Sequence, residues 1–424
     1  MITSVIGKLF LDAYNEKNGT KYDAKTFFAE VFYPLFFGSP KYLMWVQNSP
    51  FVQGLKTDKW TTEEGQKRLE QLFQKVEDGA KDASVALGYP ASEEKEFATT
   101  SGQVTSMPVK PTSDEIYLSW IGASMGVGVT GGISILFSDK SILLDIYEGL
   151  KLYRKALNTT NILKGNQCST WNAQWLAHRY SREYSKERPM ANFNPFETSG
   201  GVMKVGMQTW TKVLIGISRE YKEPRMMSYI YSFGQMNKTI GFIPFLLDVI
   251  RRPCDFYKKM FNMESTSAEA LYGTSKDLMT YSQSGVIGLK AMEPKGMEEF
   301  IRGEKIPTCD KKNEEKLISF RTYQIWILAM LNNQDFWDKS LAFAEAIRKY
   351  ETSDKALSKK RANAVAEILK ATNKKNFIEA LTFVVGEAEN KEQIVAIASE
   401  VNTMPTDNVP YFLTLVRFQY ASIK

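Results

Sequence analysis

The longest run without a charged residue, from Tyr117 to Phe137, constrains this chain most, because three different structures compete for it. A run of about 20 uncharged residues is long enough to cross a bilayer as a helix. Gly126, Gly128 and Gly131 also spell GxGxxG, which binds a dinucleotide pyrophosphate when it follows a strand and opens a helix. The third alternative is a pair of buried strands joined by a glycine turn.

The composition of this run favours the buried strand pair. Glycine, Ser and Thr dilute its apolarity, and no Lys/Arg cluster flanks it, so a membrane span fits poorly. The segment after Gly131, from Ile133 to Phe137, has the alternation of a strand rather than the start of a helix. We therefore predict a strand led in by Leu118 and Trp120, a strand at 133–137, and close backbone packing at the glycines.

The length of 424 residues predicts two or three globular domains. The N-terminal segment MITSVIGKLFLDAY lacks the basic start and cleavage site of a secretory signal, which predicts a cytoplasmic protein with no membrane partner. Cys168, Cys254 and Cys309 are widely spaced and form no CxxC pair, which argues against a zinc ribbon or a disulfide framework. We expect no cofactor and no metal.

His178 is the only histidine of the chain. Histidine is the commonest general base and metal ligand, so catalytic triads and HExxH metalloproteases are excluded unless His178 acts alone. A helical pattern places Trp171, Trp175 and His178 on one face, where a packed or surface histidine is expected rather than a catalytic one. We therefore predict that the chain is not an enzyme.

Composition divides the chain into a mixed α/β portion, residues 1–312, and a helical portion, residues 313–424. Glycine falls from 26 residues before position 304 to a single one after it. Residues 1–90 show helical patterns rich in aromatic residues, and residues 91–115 are polar, as in a long exposed loop. The predicted class is α+β: an irregular Gly-rich mixed N-terminal portion followed by a C-terminal antiparallel bundle of five or six helices.

Positive charge is concentrated between residues 151 and 260, where 18 basic and 7 acidic residues give +11, against +6 for the whole chain. Lys and Arg neutralise phosphates, aromatic rings stack on bases, and Asn and Gln amides bind base edges. This basic middle interleaves all three types, which favours a nucleic-acid-binding surface; a solvated face with inward-turned aromatics is the alternative. The predicted phosphate contacts are Lys151, Arg154, Lys155, Lys164, Arg179, Arg182 and Lys204, and the predicted base contacts are Asn166, Gln167, Asn192 and Asn194.

A basic Gly-rich α+β portion with polar loops, followed by a helical bundle that closes in PYFLTLVRFQY, resembles the large subunit of type I CRISPR interference (Cascade) complexes. The resemblance covers most of the chain and is one of organisation; the CxxC pairs that some members carry are missing from this sequence. It implies a non-catalytic subunit of an antiviral ribonucleoprotein that binds guide RNA, reads the protospacer-adjacent motif in target double-stranded DNA and helps open it. It also implies other subunits of a multi-protein complex and a recruited helicase-nuclease as partners.

Two alternatives remain open at this stage. A nucleotide-binding enzyme would use the glycine loop at residues 126–131. A protein-only scaffold would cover an interface with its aromatic N-terminal helices.

Overall fold

The computed structural model describes residues 1–46, 49–52, 59–79, 83, 85–86, 89–90, 111–232, 238–354 and 356–424. These residues form two compact units, Met1–Leu247 with Ser282–Val286, and Asp248–Tyr281 with Ile287–Lys424. The boundary predicted at 312/313 therefore falls inside the second unit. The reason is that the short helices before residue 312 pack on the helices that follow them, although their glycine content is that of the first portion.

The first unit mixes helices with antiparallel strands. Its helices are α1 (Ile2–Asn18), α2 (Ala24–Phe27), α3 (Tyr33–Phe36), α4 (Thr62–Glu77), α5 (Ser113–Ser124), α6 (Lys140–Thr159), α7 (Cys168–Arg179) and α8 (Trp210–Glu220). Its strands are β1 (Val85–Ala86), β2 (Tyr89–Pro90), β3 (Val127–Val129), β4 (Ile133–Phe137), β5 (Phe196–Ser199), β6 (Val202–Val205), β7 (Arg225–Ser232) and β8 (Lys238–Leu246). Strands β3, β4, β7 and β8 form one sheet in that order, and β5 pairs with β6 in a separate hairpin.

The first half of the charge-free run is a helix, not a strand. Helix α5 begins at a capping box, in which the Glu115 N–H donates to Thr112 Oγ1 and the Thr112 N–H donates to the Glu115 carboxylate at 2.8 Å. Every residue from Ile116 to Ser124 is buried, so no polar stripe reveals the helical period in the sequence. The strand predicted at Leu118 and Trp120 is therefore wrong, whereas residues 133–137 form β4 as predicted.

The capping box also corrects the end of the predicted polar loop. Residues 113–115 of the segment predicted as a loop at 91–115 are the first turn of α5. Residues 91–110 lie outside the described residues.

Turns and close packing account for the glycines of the GxGxxG run. Gly126 precedes β3, Gly128 lies in it, and Gly131, with φ of +89°, turns the chain into β4. A Cβ on Gly126 would lie 2.8 Å from Ser134 Oγ, and one on Gly128 would lie 3.1 Å from Ser169 Cβ. Because a strand follows Gly131 where the dinucleotide motif needs a helix N-terminus, the nucleotide-binding alternative has no structural support in this hairpin.

Helices α1 and α5 cross with their backbones in contact. A Cβ on Gly122 of α5 would lie 1.8 Å from the Thr3 carbonyl oxygen, and one on Gly7 of α1 would lie 2.0 Å from the Leu118 carbonyl oxygen. Both glycines are buried at this crossing. The predicted close backbone packing in the run is confirmed, although it joins two helices rather than two strands.

Aromatic residues between positions 27 and 51 build the core of the first unit. Phe28 and Phe37 are at most 3% exposed. The rings of Phe37 and Phe51 stack with centroids 4.5 Å apart, and Trp120 of α5 meets both edge-on. Since these rings face inward, they do not form the exposed interface that the scaffold hypothesis requires of them. Trp45 differs, because it is 45% exposed.

The second unit is built from helices. They are α9 (Leu247–Phe261), α10 (Thr266–Glu269), α11 (Leu278–Ser282), α12 (Met297–Ile301), α13 (Glu314–Leu331), α14 (Asp335–Thr352), α15 (Ser358–Lys370), α16 (Lys374–Val385), α17 (Lys391–Thr403) and α18 (Val409–Ile423). From α13 onward, short connections join successive helices, and α18 packs on both α13 and α14. The predicted α+β class with a C-terminal helical bundle is confirmed.

No helix in the described ranges is both long enough and apolar enough to cross a lipid bilayer.

Candidate nucleic-acid interface

Three predicted site residues, Lys164, Asn166 and Gln167, lie in the segment of residues 160–167 between α6 and α7, which we call the basic loop. On one side the Asn166 N–H donates to the Tyr42 carbonyl oxygen at 2.9 Å. On the other side the Lys164 N–H donates to the Met203 carbonyl oxygen of β6 at 2.8 Å. The basic loop is therefore held between two segments that are distant from it in sequence.

The bond to β6 extends the β5–β6 hairpin. The Met203 N–H donates to the Ile162 carbonyl oxygen at 3.0 Å, so the basic loop runs parallel to β6 as a further, strand-like segment. Lys164 and Lys204 consequently lie on neighbouring segments, and both are exposed. The tertiary structure thus brings together two predicted phosphate contacts from separate parts of the chain.

Lys41 anchors the start of the basic loop. Its ammonium group donates to the backbone carbonyl oxygens of Thr160, Asn161 and Leu163 at 3.0, 2.6 and 3.0 Å. These carbonyls follow the last turn of α6, where no helical partner remains for them. Partial burial lowers the pKa of the Lys41 ammonium group.

Arg154 holds the segment that carries Lys41. Its guanidinium group donates to the backbone carbonyl oxygens of Leu35, Phe36 and Lys41 at 2.7, 3.1 and 2.6 Å. The side chain is only 9% exposed, and burial lowers its pKa to about 10, so it remains charged at neutral pH. The prediction that Arg154 contacts phosphate directly is therefore wrong, because its donors already bind the protein's own carbonyls.

The resulting charge balance sets this loop apart. Lys41 and Arg154 are satisfied by carbonyl oxygens, which carry no net charge, so their positive charges are retained at the loop. Lys155, in the last turns of α6, and Lys164 are exposed, and neither forms an ion pair with any of the described residues. Uncompensated charges on a fixed surface attract anions over several ångströms. The basic loop is therefore a preformed cationic surface.

An exposed tryptophan lies beside this surface. The rings of Tyr42 and Trp45 are 5.9 Å apart, and the Tyr42 backbone binds Asn166 of the basic loop. The sequence analysis counted Trp45 only among the aromatic residues of positions 1–90 and missed it as a site residue. The sequence shows that Trp45 follows the helical aromatic stretch, but not whether its side chain is buried. Its exposure, which makes it a candidate site residue, is visible only in the structure.

Two other predicted phosphate contacts are engaged by carboxylates. Lys151 pairs with Glu148 one turn earlier on α6. The Arg179 Nε lies 3.3 Å from Asp145 Oδ1, and its guanidinium group sits 4.6 Å from the centre of the Tyr184 ring. Both cations are thus paired with a carboxylate, which makes them weaker phosphate ligands than Lys155 and Lys164. Lys204 also has a carboxylate partner, Glu197, but at the longer distance of 3.7 Å.

The remaining predicted residues, Arg182, Asn192 and Asn194, lie in the turn-rich segment after α7 and are exposed. Asn192 has a φ of +59°, a left-handed conformation that asparagine tolerates. Gln167 belongs to the basic loop, but its Oε1 already accepts the Val205 N–H at 3.1 Å. Its amide oxygen is therefore partly engaged by the protein's own backbone.

The single histidine is packed, as predicted. The rings of His178 and Phe193 stack with centroids 4.6 Å apart, and His178 Nε2 lies 2.9 Å from the Pro189 carbonyl oxygen. The side chain is 8% exposed. Burial, more than any other cause, lowers the pKa of the imidazole below its usual 6.5.

This lowered pKa predicts a pH dependence of stability. As pH falls below about 6.5, the unfolded chain binds a proton at His178 before the folded chain does, so the free energy of unfolding decreases. The stability that the buried, neutral His178 contributes is fully present above about pH 6.5 and is lost as pH falls towards the lower pKa of the folded state. The single imidazole signal in NMR should give a pKa below 6.5. In a His178→Gln variant, the decrease in stability between about pH 6.5 and pH 5, above the range where most carboxylates titrate, should disappear.

No family model, curated protein or solved structure matches this chain. Within the described part of the chain, no group of three or more His, Cys, Asp or Glu side chains is arranged to hold a metal ion. A functional proposal therefore depends on the geometry and charge of the basic loop.

Proposed function

We propose that this chain is a non-catalytic nucleic-acid-binding protein that holds a phosphate backbone at the basic loop. The observation that carries the proposal is the group of four cations, Lys41, Arg154, Lys155 and Lys164, that have no carboxylate partner among the described residues. A row of phosphates supplies the negative charge that these four cations lack.

The loop is also ordered before any ligand arrives. Its backbone is bonded to Tyr42 and Met203, and its first carbonyls are bonded to Lys41. A ligand that binds a preorganised surface does not have to offset the entropy of ordering it. This favours the basic loop over the other exposed lysines of the basic middle.

The side chains of the surface divide into two roles. Lys164 and Lys155 bind phosphates. Lys204 also binds a phosphate in place of Glu197, because its 3.7 Å ion pair with Glu197 is exposed and such pairs contribute little to stability. Asn166 is exposed, with its backbone held in a left-handed conformation at φ of +59°, and an exposed amide is suited to a base edge.

At a finer level, we propose a subunit of a ribonucleoprotein similar to the Cascade large subunit. What supports this is the combination of a basic α+β portion with a C-terminal helical bundle. Its partners would be guide RNA, target double-stranded DNA, other protein subunits and a recruited helicase-nuclease. The motif-reading and strand-opening roles follow from the resemblance alone.

Reversing the charge of Lys164 in the basic loop and of Lys155 near the end of α6 tests the proposal. In a Lys155→Glu/Lys164→Glu variant, we expect the affinity for a short RNA or DNA strand in about 50 mM salt to fall at least tenfold. The slope of log affinity against log salt should also decrease by roughly 1.5 to 2, because about two phosphate contacts are lost. Fluorescence anisotropy over a salt series measures both quantities.

A matched control separates a local site from net charge. Lys67 on α4 and Lys359 on α15 are also exposed, and neither pairs with a carboxylate in the described ranges. A Lys67→Glu/Lys359→Glu variant changes the total charge equally and should keep affinity within about twofold of the parent protein. Equal losses in both variants, or no binding by the parent at low salt, would contradict the proposal.

A further inference from the structure

Trp45 is exposed, whereas five of the eight tryptophans are deeply buried and Trp60 and Trp337 are half-buried. Its side chain is 45% exposed, whereas the buried tryptophans of the structure, including Trp120 and Trp171, are at most 3% exposed. Indole burial is among the largest favourable contributions of any side chain, so an indole left in water is more informative than an exposed aliphatic residue.

The backbone that carries Trp45 is held in place. The Leu43 N–H donates to the Phe36 carbonyl oxygen at 3.0 Å, and the Leu43 carbonyl oxygen accepts the Cys168 N–H at 3.2 Å. Leu43 and Val46, on either side of Trp45, are completely buried. The segment is therefore anchored by its neighbours while the indole of Trp45 faces solvent, and the ring needs no rearrangement to accept a flat partner.

The segment that carries the indole is bonded to the basic loop. Tyr42, whose ring contacts that of Trp45, binds Asn166 of the basic loop through its backbone, and Lys164 lies two residues before Asn166 in the same loop. The Tyr42 phenol is neutral at physiological pH, and burial raises its pKa further above the usual 10. An apolar protein partner would have to desolvate the neighbouring lysine, whereas a nucleotide offers a flat ring and a phosphate together.

We infer that Trp45 is a stacking platform for an unpaired base, so that the basic loop takes a single strand in preference to a closed duplex. This inference rests on the proposed function and specifies its ligand. Within a duplex the faces of each base are covered by its neighbours, and an indole reaches a base face only where the base is unpaired. Lys164 binds the phosphate next to that base, and the Asn166 amide binds the edge of the base.

Substitution of Trp45 distinguishes the two kinds of ligand. A Trp45→Ala variant should lose about tenfold in affinity for a short mixed-sequence single strand, whereas its affinity for the corresponding duplex should stay within about twofold. A Trp45→Phe variant keeps a stacking ring and should retain most of the affinity. A strand of abasic nucleotides should bind the parent protein at least as weakly as the normal strand binds Trp45→Ala, because it lacks both the stacking ring and the base edge.

Intrinsic fluorescence adds a direct readout. Because the indole of Trp45 is exposed, bound bases should quench part of the tryptophan emission of the parent protein but less of that of Trp45→Phe. Equal affinity for normal and abasic strands, or unchanged single-strand affinity in Trp45→Ala, would overturn this inference. If Lys155→Glu/Lys164→Glu still weakens binding in that case, the proposed function stands. If the parent protein binds neither form at low salt, both proposals fail.

Discussion

A Gly122→Ala substitution is expected to lower the free energy of unfolding of the first unit by about 3 kcal/mol or more, since overpacking against rigid backbone is at the upper end of such effects. The added methyl group would lie 1.8 Å from the Thr3 carbonyl oxygen and 2.7 Å from the Gly7 backbone nitrogen. Neither atom belongs to a side chain that could rotate away. Helices α1 and α5 must therefore separate, which also loosens the aromatic core that Trp120 forms with its neighbours.

Hydrogen exchange of peptides from α1 and α5, followed through a denaturant series, measures this loss within the first unit. A probe of this kind is needed because a chain of two compact units does not have to unfold in one step. Gly386 is a suitable control, since its φ is −64° and no atom lies near its missing Cβ. Gly386→Ala should leave stability unchanged or raise it by roughly 0.4–1 kcal/mol.

The Gly7→Ala variant provides a second check on the same crossing. Its methyl group would lie 2.0 Å from the Leu118 carbonyl oxygen, so a similar loss is expected. The double variant should lose less than the sum of the two single losses, because one separation of the helices relieves both clashes. A Gly122→Ala protein as stable as its parent would show that the helices do not cross at these glycines.

Replacement of Arg154 by methionine is expected to destabilise the first unit by about 3 kcal/mol or more, because three backbone carbonyls lose their donor at once and each such loss costs about 1–3 kcal/mol. The affected carbonyls belong to Leu35, Phe36 and Lys41. Methionine keeps an unbranched apolar stem, so most of the packing remains and the lost hydrogen bonds dominate.

The neighbouring residue is a natural control for Arg154. Lys155 is exposed on the same helix, and Lys155→Met should change stability by less than about 0.5 kcal/mol while removing the same formal charge. Arg154→Lys should fall between the two, because an ammonium group does not reproduce the planar fork of a guanidinium group. Thermal unfolding and hydrogen exchange of the segment at 33–43 report the difference. Equal stability of Arg154→Met and Lys155→Met would contradict the structural role of Arg154.

The same pair of variants links stability to the proposed site. Arg154→Met removes both a charge and the anchor of the segment that carries Lys41 and Trp45, so it should weaken nucleic-acid binding more than Lys155→Met does. If the two variants bind equally well at a temperature where both are folded, preorganisation of the basic loop makes no contribution to affinity.

Much of the architecture follows from patterns that are visible in the sequence. The alternation at residues 133–137 predicts β4, and the change in glycine content predicts a helical C-terminal region. The C-terminal helices expose one face, so their periodicity is readable, whereas β4 is marked by its local β-strand preference although all five of its residues are buried. Helix α5 was missed because it is buried on all sides, and its capping box was the one local signal of its start.

The site shows the same division. Local sequence and charge predicted Lys155, Lys164 and Asn166 as site residues. These three side chains are exposed in the structure, so local composition is a usable guide to them. Local sequence and charge also predicted Arg154, and nothing in its sequence neighbours distinguishes it from Lys155. Only the approach of the chain at Leu35 to Lys41, far away in sequence, turns its guanidinium group inward.

The amino-acid sequence alone therefore determined the α+β class, the helical bundle and the location of the positive charge, since these depend on local periodicity and on counts of residue types. The tertiary structure alone decided which cations are used by the protein's own carbonyls, which tryptophan faces solvent, and where two helices touch through glycine. The physical reason is that burial and hydrogen bonding are set by segments that meet in space. For Arg154 and Trp45 those segments come from distant parts of the chain.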